Sequence, residues 1–162
     1  MIKNIKKYSV TLSVCMAALA ADILTKYLVN TRINLYERID LIGSFVQLTK
    51  LYNKGGIFGI LQGYQKLFLI FSIIVLCIMI ALYVYEKNKT MLFSISMGLI
   101  FSGALGNILD RLIGRPGVVD FIYIGVDRIY RWPAFNVADC SIVVGAIMLL
   151  IFFYTQGRDK KA

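Results

Sequence analysis

The chain has 162 residues, 59% hydrophobic and 17% charged, with no histidine and a net charge of +9. Soluble domains run nearer 45–50% apolar and about 25% charged; with a mean hydropathy of +0.73, these figures exclude an ordinary water-soluble domain and a disordered chain. They leave room for one domain with several membrane spans of about 20 residues each, and the missing histidine excludes His-dependent triads and His-ligated metals.

The first apolar stretch runs from about Tyr8 to Val29. Lys3, Lys6 and Lys7 precede it, and Ala18-Leu19-Ala20 resembles a signal-peptide cleavage site. The apolar run continues past that point and carries Asp22 and Lys26, so a retained span is expected. Phe45 to Asn53 alternates partly, with Val46, Leu48 and Lys50 on one side and Gln47, Thr49 and Leu51 on the other, which predicts a short strand. Asn53-Lys54-Gly55-Gly56 reads as a turn. A second span follows from Tyr64 to Tyr85 and a third from Met91 to about Leu112. Val118 to Ile124 is a second strand candidate, closed by Gly125. The only prolines, Pro116 and Pro133, precede a fourth span from about Ala134 to Tyr154. Tyr123, Tyr130 and Trp132 are expected at interface depth. Cys15, Cys77 and Cys140 lie far apart in apolar segments, which supports neither a disulfide framework nor a thiolate metal site.

Four spans put both termini on one side. Residues 1–7, 86–90 and 156–162 hold 8 basic residues in 19 (Lys3, Lys6, Lys7, Lys87, Lys89, Arg158, Lys160 and Lys161), whereas 30–63 and 113–133 hold 7 in 55. The positive-inside rule therefore favours cytoplasmic termini. Because the basic residues punctuate apolar runs, the charge is read as membrane topology, and no nucleic-acid partner is expected.

Ionisable residues within spans are costly and mark candidate sites. Asp22 and Lys26 share a face near the outer end of the first span. Gly103, Asn107, Asp110 and Arg111 share a face at the outer end of the third. Asp120 lies in the outer loop, and Asn136 and Asp139 open the fourth span. All converge at one depth. Two neighbouring carboxylates suit hydrolysis: they share a proton, so one accepts a proton from water while the other donates to the substrate carbonyl. Asp120 and Asp139 are the expected pair. A Ser–Lys dyad of Ser102 and Lys26, a proton relay through Asp22, Asp110 and Asp139, and a non-enzymatic assembly factor are the competing readings.

The blocks Asp22-Ile23-Leu24-Thr25-Lys26, Asn53-Lys54-Gly55-Gly56-Ile57-Phe58-Gly59, Gly103 to Arg111, Val118-Val119-Asp120-Phe121 and Phe135-Asn136-Val137-Ala138-Asp139 occur in the order and spacing of bacterial lipoprotein signal peptidase, or signal peptidase II. The chain resembles that family over residues 22 to 140. The resemblance implies an all-α membrane fold, one domain over 1–162. It has four transmembrane helices, a small extracytoplasmic β-cradle (about 30–63 and 113–133) and a mobile periplasmic loop or helix. It implies an intramembrane aspartic endopeptidase that removes the signal peptide of a diacylglyceryl-modified prolipoprotein just before the lipid-bearing cysteine. Asp120 and Asp139 match the catalytic dyad. Asp22, Lys26, Asn53, Gly103, Asn107, Arg111, Asn136 and Ala138 match positions that line or support the site. Membrane lipid is an expected partner and globomycin an expected inhibitor; a monomer without metal or other cofactor is expected. The expected location is the bacterial cytoplasmic (inner) membrane, multi-pass, with the site at the outer leaflet. Lys26 is expected to neutralise Asp22 and tie the first and third spans, Arg111 to meet a substrate carbonyl or lipid ester, and Asn53 and Asn136 to orient the peptide. Two positions depart from the family pattern: Gly56 stands where alanine is frequent, and Cys140 where serine is.

Overall fold

The computed structural model of the protein describes residues 2–56 and 62–159. Ile57, Phe58 and Gly59 of the Asn53 block, and Lys160 and Lys161 of the topology count, lie outside the described residues.

Among the described residues, four helices are long and apolar enough to cross a membrane: α1 (Ile2–Arg32), α2 (Gln65–Tyr85), α3 (Met91–Leu112) and α4 (Val137–Asp159). Between them lie β1 (Arg38–Ile42) and β2 (Val46–Asn53), then β3 (Val118–Val126) and β4 (Tyr130–Arg131), which form one antiparallel sheet in the order β1-β2-β3-β4. "All-α" is therefore too narrow. The segments beyond the helices cannot satisfy their backbone groups within a helix, and they do so by cross-strand pairing instead. The helix implied for the outer connections is not seen among the described residues, which form strands and turns there.

α3 is the hub. Most of it is buried, against α1 on one side and α4 on the other, whereas α2 touches mainly α3 and exposes nearly all its length. In lipid no hydrophobic force separates helix faces from solvent, so close backbone approach and polar contacts hold the bundle. Gly98 lets α3 meet the Thr11 carbonyl and Val14 of α1; Gly103 meets the Ala138 carbonyl, and Gly145 the Ser96 carbonyl and Ile100. At the end of the bundle away from the sheet, Tyr83 stacks on Phe93 with centroids 5.8 Å apart, and Phe152 meets Phe93 at a tilt, 4.8 Å between centroids. There the Tyr83 hydroxyl donates to Thr11 Oγ1 (2.9 Å), which in turn donates to the Ser94 carbonyl (3.1 Å).

The sheet rests on the other end. Val29 and Ile33, at the end of α1, pack with Val119 and Phe121 of β3. Strand alternation turns Asp120, between those two, to the opposite face. A register shift between Leu48 and Leu51 breaks the simple alternation of β2, whose buried residues are the polar Gln47 and Thr49. Gly125 does not close β3: the strand runs through it to Val126, because a residue without Cβ, at φ +145°, lets the Tyr130 and Arg131 backbone of β4 approach. Tyr123 lies beneath two guanidinium groups, Arg131 at 4.8 Å and Arg38 at 5.1 Å from its ring centroid, while Tyr130 and Trp132 are exposed.

Candidate active site

Three structural pieces deliver the polar residues to one point. The first is the strand pair β2–β3. Asn53 pairs with Val118, so Asp120 is its diagonal neighbour on the same face, and Asn53 Nδ2 donates to Asp120 Oδ2 at 3.1 Å. Asn53 also closes its own turn: Oδ1 accepts from the Gly55 N–H at 3.0 Å and Nδ2 donates to the Gly56 carbonyl at 3.3 Å, a side chain imitating a backbone turn. Gly117 permits this closeness, since a Cβ there would strike the Asn53 backbone.

The second piece is the start of α4. The segment before it zips along β3: Trp132 N–H donates to the Ile124 carbonyl (2.8 Å), and Phe135 exchanges bonds with Ile122 (3.0 and 2.8 Å). That pairing sets Asn136 beside Asp120. Asn136 caps α4 reciprocally with Asp139. Its Oδ1 accepts from the Asp139 N–H (2.9 Å), and Asp139 Oδ2 accepts from the Asn136 N–H (3.1 Å), the arrangement of a capping box. The same Asn136 donates through Nδ2 to Asp120 Oδ1 at 2.7 Å. One fully buried residue thus holds both carboxylates, Asp120 through its side-chain amide and Asp139 through its backbone N–H.

The third piece is α3. Asn107 Nδ2 donates to Asp139 Oδ1 at 2.8 Å. Asn107 Oδ1 accepts from Lys26 Nζ (3.2 Å) and from Asn136 Nδ2 (3.4 Å). Behind it, Lys26 is 2% exposed and pairs with Asp22 (2.8 Å) and Asp110 (2.9 Å). Asp110 also holds Arg115 and accepts from the Val119 N–H at 3.3 Å. Asp22 Oδ1 accepts from the Ala138 N–H (2.8 Å), another of the free donors of α4's first turn. A Cβ at Gly106 would meet the Asp22 carboxylate, and a Cβ at Gly103 would meet the Ala138 carbonyl. Both glycines therefore let α1, α3 and α4 meet at this level.

All ten expected residues are in this assembly, in two layers. Asp120, Asp139, Asn53, Asn107 and Asn136 form the layer around the two carboxylates. Asp22, Lys26, Gly103 and Ala138 lock the helices behind it. Arg111 flanks the first layer, donating from NH1 to the Asn107 carbonyl (3.0 Å) and from NH2 to the Gly55 carbonyl (3.4 Å). Asn53 and Asn136, expected to orient the peptide, direct their amides at Asp120 here, because the register and the cap fix them there. The Ser102–Lys26 pairing does not form: the Ser102 hydroxyl donates to the Leu99 carbonyl at 2.7 Å, and Lys26 is engaged as above. The roles of Asp110 and Arg115 as partners for Lys26 and for each other were missed, as was Gln62, whose side chain bonds Asn53 Oδ1 at 3.4 Å. Asp110 shares a helix face with Asn107, a visible signal. The pairing of Arg115 depends on the turn after α3, where Gly114 at φ +75° folds the chain back.

Asp120 is 3% exposed. Burial, and after it the nearby Asp139 charge, push its carboxyl up from 3.8 to about 7, against the opposing bonds from Asn53 and Asn136. Asp139, Asn53, Asn107 and Arg111 are partly exposed and form the open side of the site.

The chain matches proteins of known kind along nearly its whole length. Lipoprotein signal peptidase from Staphylococcus haemolyticus (strain JCSC1435) is 34% identical over 158 residues, covering 96% of this chain and 99% of that protein. The lipoprotein signal peptidase of Shouchella clausii (strain KSM-K16) is 38% identical over 148 residues, covering 91% and 95%. A bacterial membrane enzyme solved by the in meso method at 2.3 Å resolution superposes with a TM-score of 0.83 at 29% identity, covering 93% of this chain and 90% of that one. The sequence model of the family described as signal peptidase (SPase) II matches residues 14–155. With the paired carboxylates and the four-helix frame inside that match, the chain belongs to the signal peptidase II family.

Proposed function

We propose that this protein is an intramembrane aspartic endopeptidase, with Asp120 and Asp139 as its dyad, which cuts a diacylglyceryl-modified prolipoprotein just before the lipid-bearing cysteine. Family membership supports removal of signal peptides from prolipoproteins. The observation that carries the finer reading is that one buried residue, Asn136, holds two carboxylates from a strand and a helix, donating to Asp120 from its side-chain amide and to Asp139 from its backbone N–H.

The chemistry follows from one shared proton. Asp120, pushed up to about 7, carries it in about half of the molecules at neutral pH and in more of them below. Asp139 is the carboxylate, seated in the first turn of α4 where free N–H groups favour negative charge. Asp139 takes a proton from a water molecule as that water attacks the scissile carbonyl carbon. Asp120 gives its proton to the carbonyl oxygen, forming a neutral tetrahedral diol. Collapse then returns a proton from the diol to Asp120 while Asp139 protonates the leaving amine, and the C–N bond breaks. The amides of Asn53, Asn107 and Asn136 hold both carboxylates in position through each transfer.

A site at the outer membrane face lets the substrate keep its acyl chains in lipid while its peptide bond meets water. A gel-shift assay tests the reading, with purified protein, a diacylglyceryl-modified prolipoprotein and its unlipidated precursor. The expected outcome is cleavage of the lipidated form alone, lost by at least about 100-fold in Asp120→Asn and in Asp139→Asn. Substantial turnover by either folded variant removes the dyad; cleavage of both precursors removes the lipid requirement.

A further inference from the structure

Between the N-terminal end of α2 and the C-terminal end of α3 lies an open, shallow pocket of about 270 Å³ beside the site, lined by Gln65, Lys66, Leu69, Arg111, Gly114 and Arg115. Gln65 Nε2 bridges it, donating to the Arg115 carbonyl at 3.3 Å. Three of its six lining residues are cationic and none is acidic. Asp110, behind the cavity, engages one edge of the Arg115 guanidinium. Lys66 is exposed and makes no ion pair among the described residues. Arg111 keeps a buried Nε–H with no acceptor among the described residues, a donor that buried groups rarely leave open. The first turn of α2 has no side-chain cap, so its N–H groups add to the positive field.

The surroundings are apolar. Leu67, Ile70, Phe71 and Ile74 of α2 and Leu112 and Ile113 next to the cavity are all exposed. Cations at the helix ends above an apolar wall match a phospholipid, with the phosphate at interface depth and the acyl chains below.

We propose that this cavity binds the phosphodiester headgroup of an anionic phospholipid, with its acyl chains lying along the exposed face of α2. The apolar wall favours a lipid phosphate over a free one. The site is separate in chemistry from the dyad, since the diacylglyceryl group of the proposed substrate carries no phosphate, and it stands whether or not the peptidase reading does.

The test is native mass spectrometry of the full-length protein in detergent doped with equal amounts of phosphatidylglycerol and phosphatidylcholine of identical acyl chains. Wild type is expected to retain phosphatidylglycerol about fivefold over phosphatidylcholine, and Lys66→Glu to bring the ratio near one. Lys66→Gln, which adds no repulsive charge, is expected to fall between them. Equal retention by the wild type overturns the proposal, as does a preference that neither variant changes. In a further arm with millimolar inorganic phosphate, retention of phosphatidylglycerol is expected; its complete displacement would assign the cavity to free phosphate and overturn the lipid reading.

Discussion

Asp120 is a carboxyl held almost wholly out of water. Its carboxyl is neutral at pH 5 in the fold but ionised in the unfolded chain, where the ordinary value is 3.8. A raised carboxyl stabilises the fold fully below about pH 4. That contribution is lost as pH rises to about 7, at about 1.36 kcal/mol per unit, or about 4 kcal/mol in all. Melting in detergent from pH 4 to 8 should show the downward slope in wild type and a shallower one in Asp120→Asn. Activity should fall above about pH 7, as Asp120 loses the proton the mechanism uses. An activity profile flat to pH 9 would remove Asp120 as the acid. Lys26 is the counterpart behind it, a buried cation shared by Asp22 and Asp110. Lys26→Met leaves two buried carboxylates short of their partner, costing about 3–5 kcal/mol, or roughly 10 °C of melting temperature. A variant that melts with wild type would show the cluster to be dispensable for the bundle.

At the scale of elements, the decisive contact is α3 against the first turn of α4. Gly103 faces the Ala138 carbonyl and Ile142, and backbone cannot yield as a side-chain tip does. Gly103→Ala should push the α4 cap away from Asn107 and lower cleavage by at least about 10-fold, while costing only about 1–3 kcal/mol of stability. Cleavage assays paired with melting would separate the two effects; unchanged turnover would show that the cap tolerates the shift. Gly56 behaves differently. A Cβ there meets only the Phe68 ring, a side chain that can turn, so the departure from alanine at this position fits a local repacking of α2 against the Asn53 turn.

At the scale of the whole molecule, four spans would set both ends on one face, and the density of basic residues is the basis for proposing that this face is cytoplasmic. A cytoplasm-dependent reporter fused after the C-terminus should be active, and one inserted at the exposed turn between β3 and β4 inactive. The reverse result would invert the orientation and put the site on the inner face. The sheet caps the bundle at the site end, so the cleft is bounded by lipid-exposed helices on its sides and by strands above.

Much of this was legible in residue order. The four apolar runs showed as helices because a span in lipid must be long, apolar and self-satisfied in its backbone bonds. The convergence of Asp22, Lys26, Asn107, Arg111, Asn136 and Asp139 at one depth was legible because helical rise converts position into depth. Phe45–Asn53 and Val118–Ile124 read as strands from their local pattern. β1 and β4 did not, since the exposed Arg38–Ile42 and the two-residue Tyr130–Arg131 owe their form to partners far along the chain. Sequence by itself determined the class of molecule, the depth of its polar residues and the types of side chain available for chemistry. Only the tertiary structure decided that Asn136 joins Asp120 to Asp139, that Lys26 serves two acids, and that Arg115 turns back to Asp110. Those pairings span up to 84 residues between Lys26 and Asp110, and rest on strand register and on glycine-permitted helix contacts that no local pattern encodes.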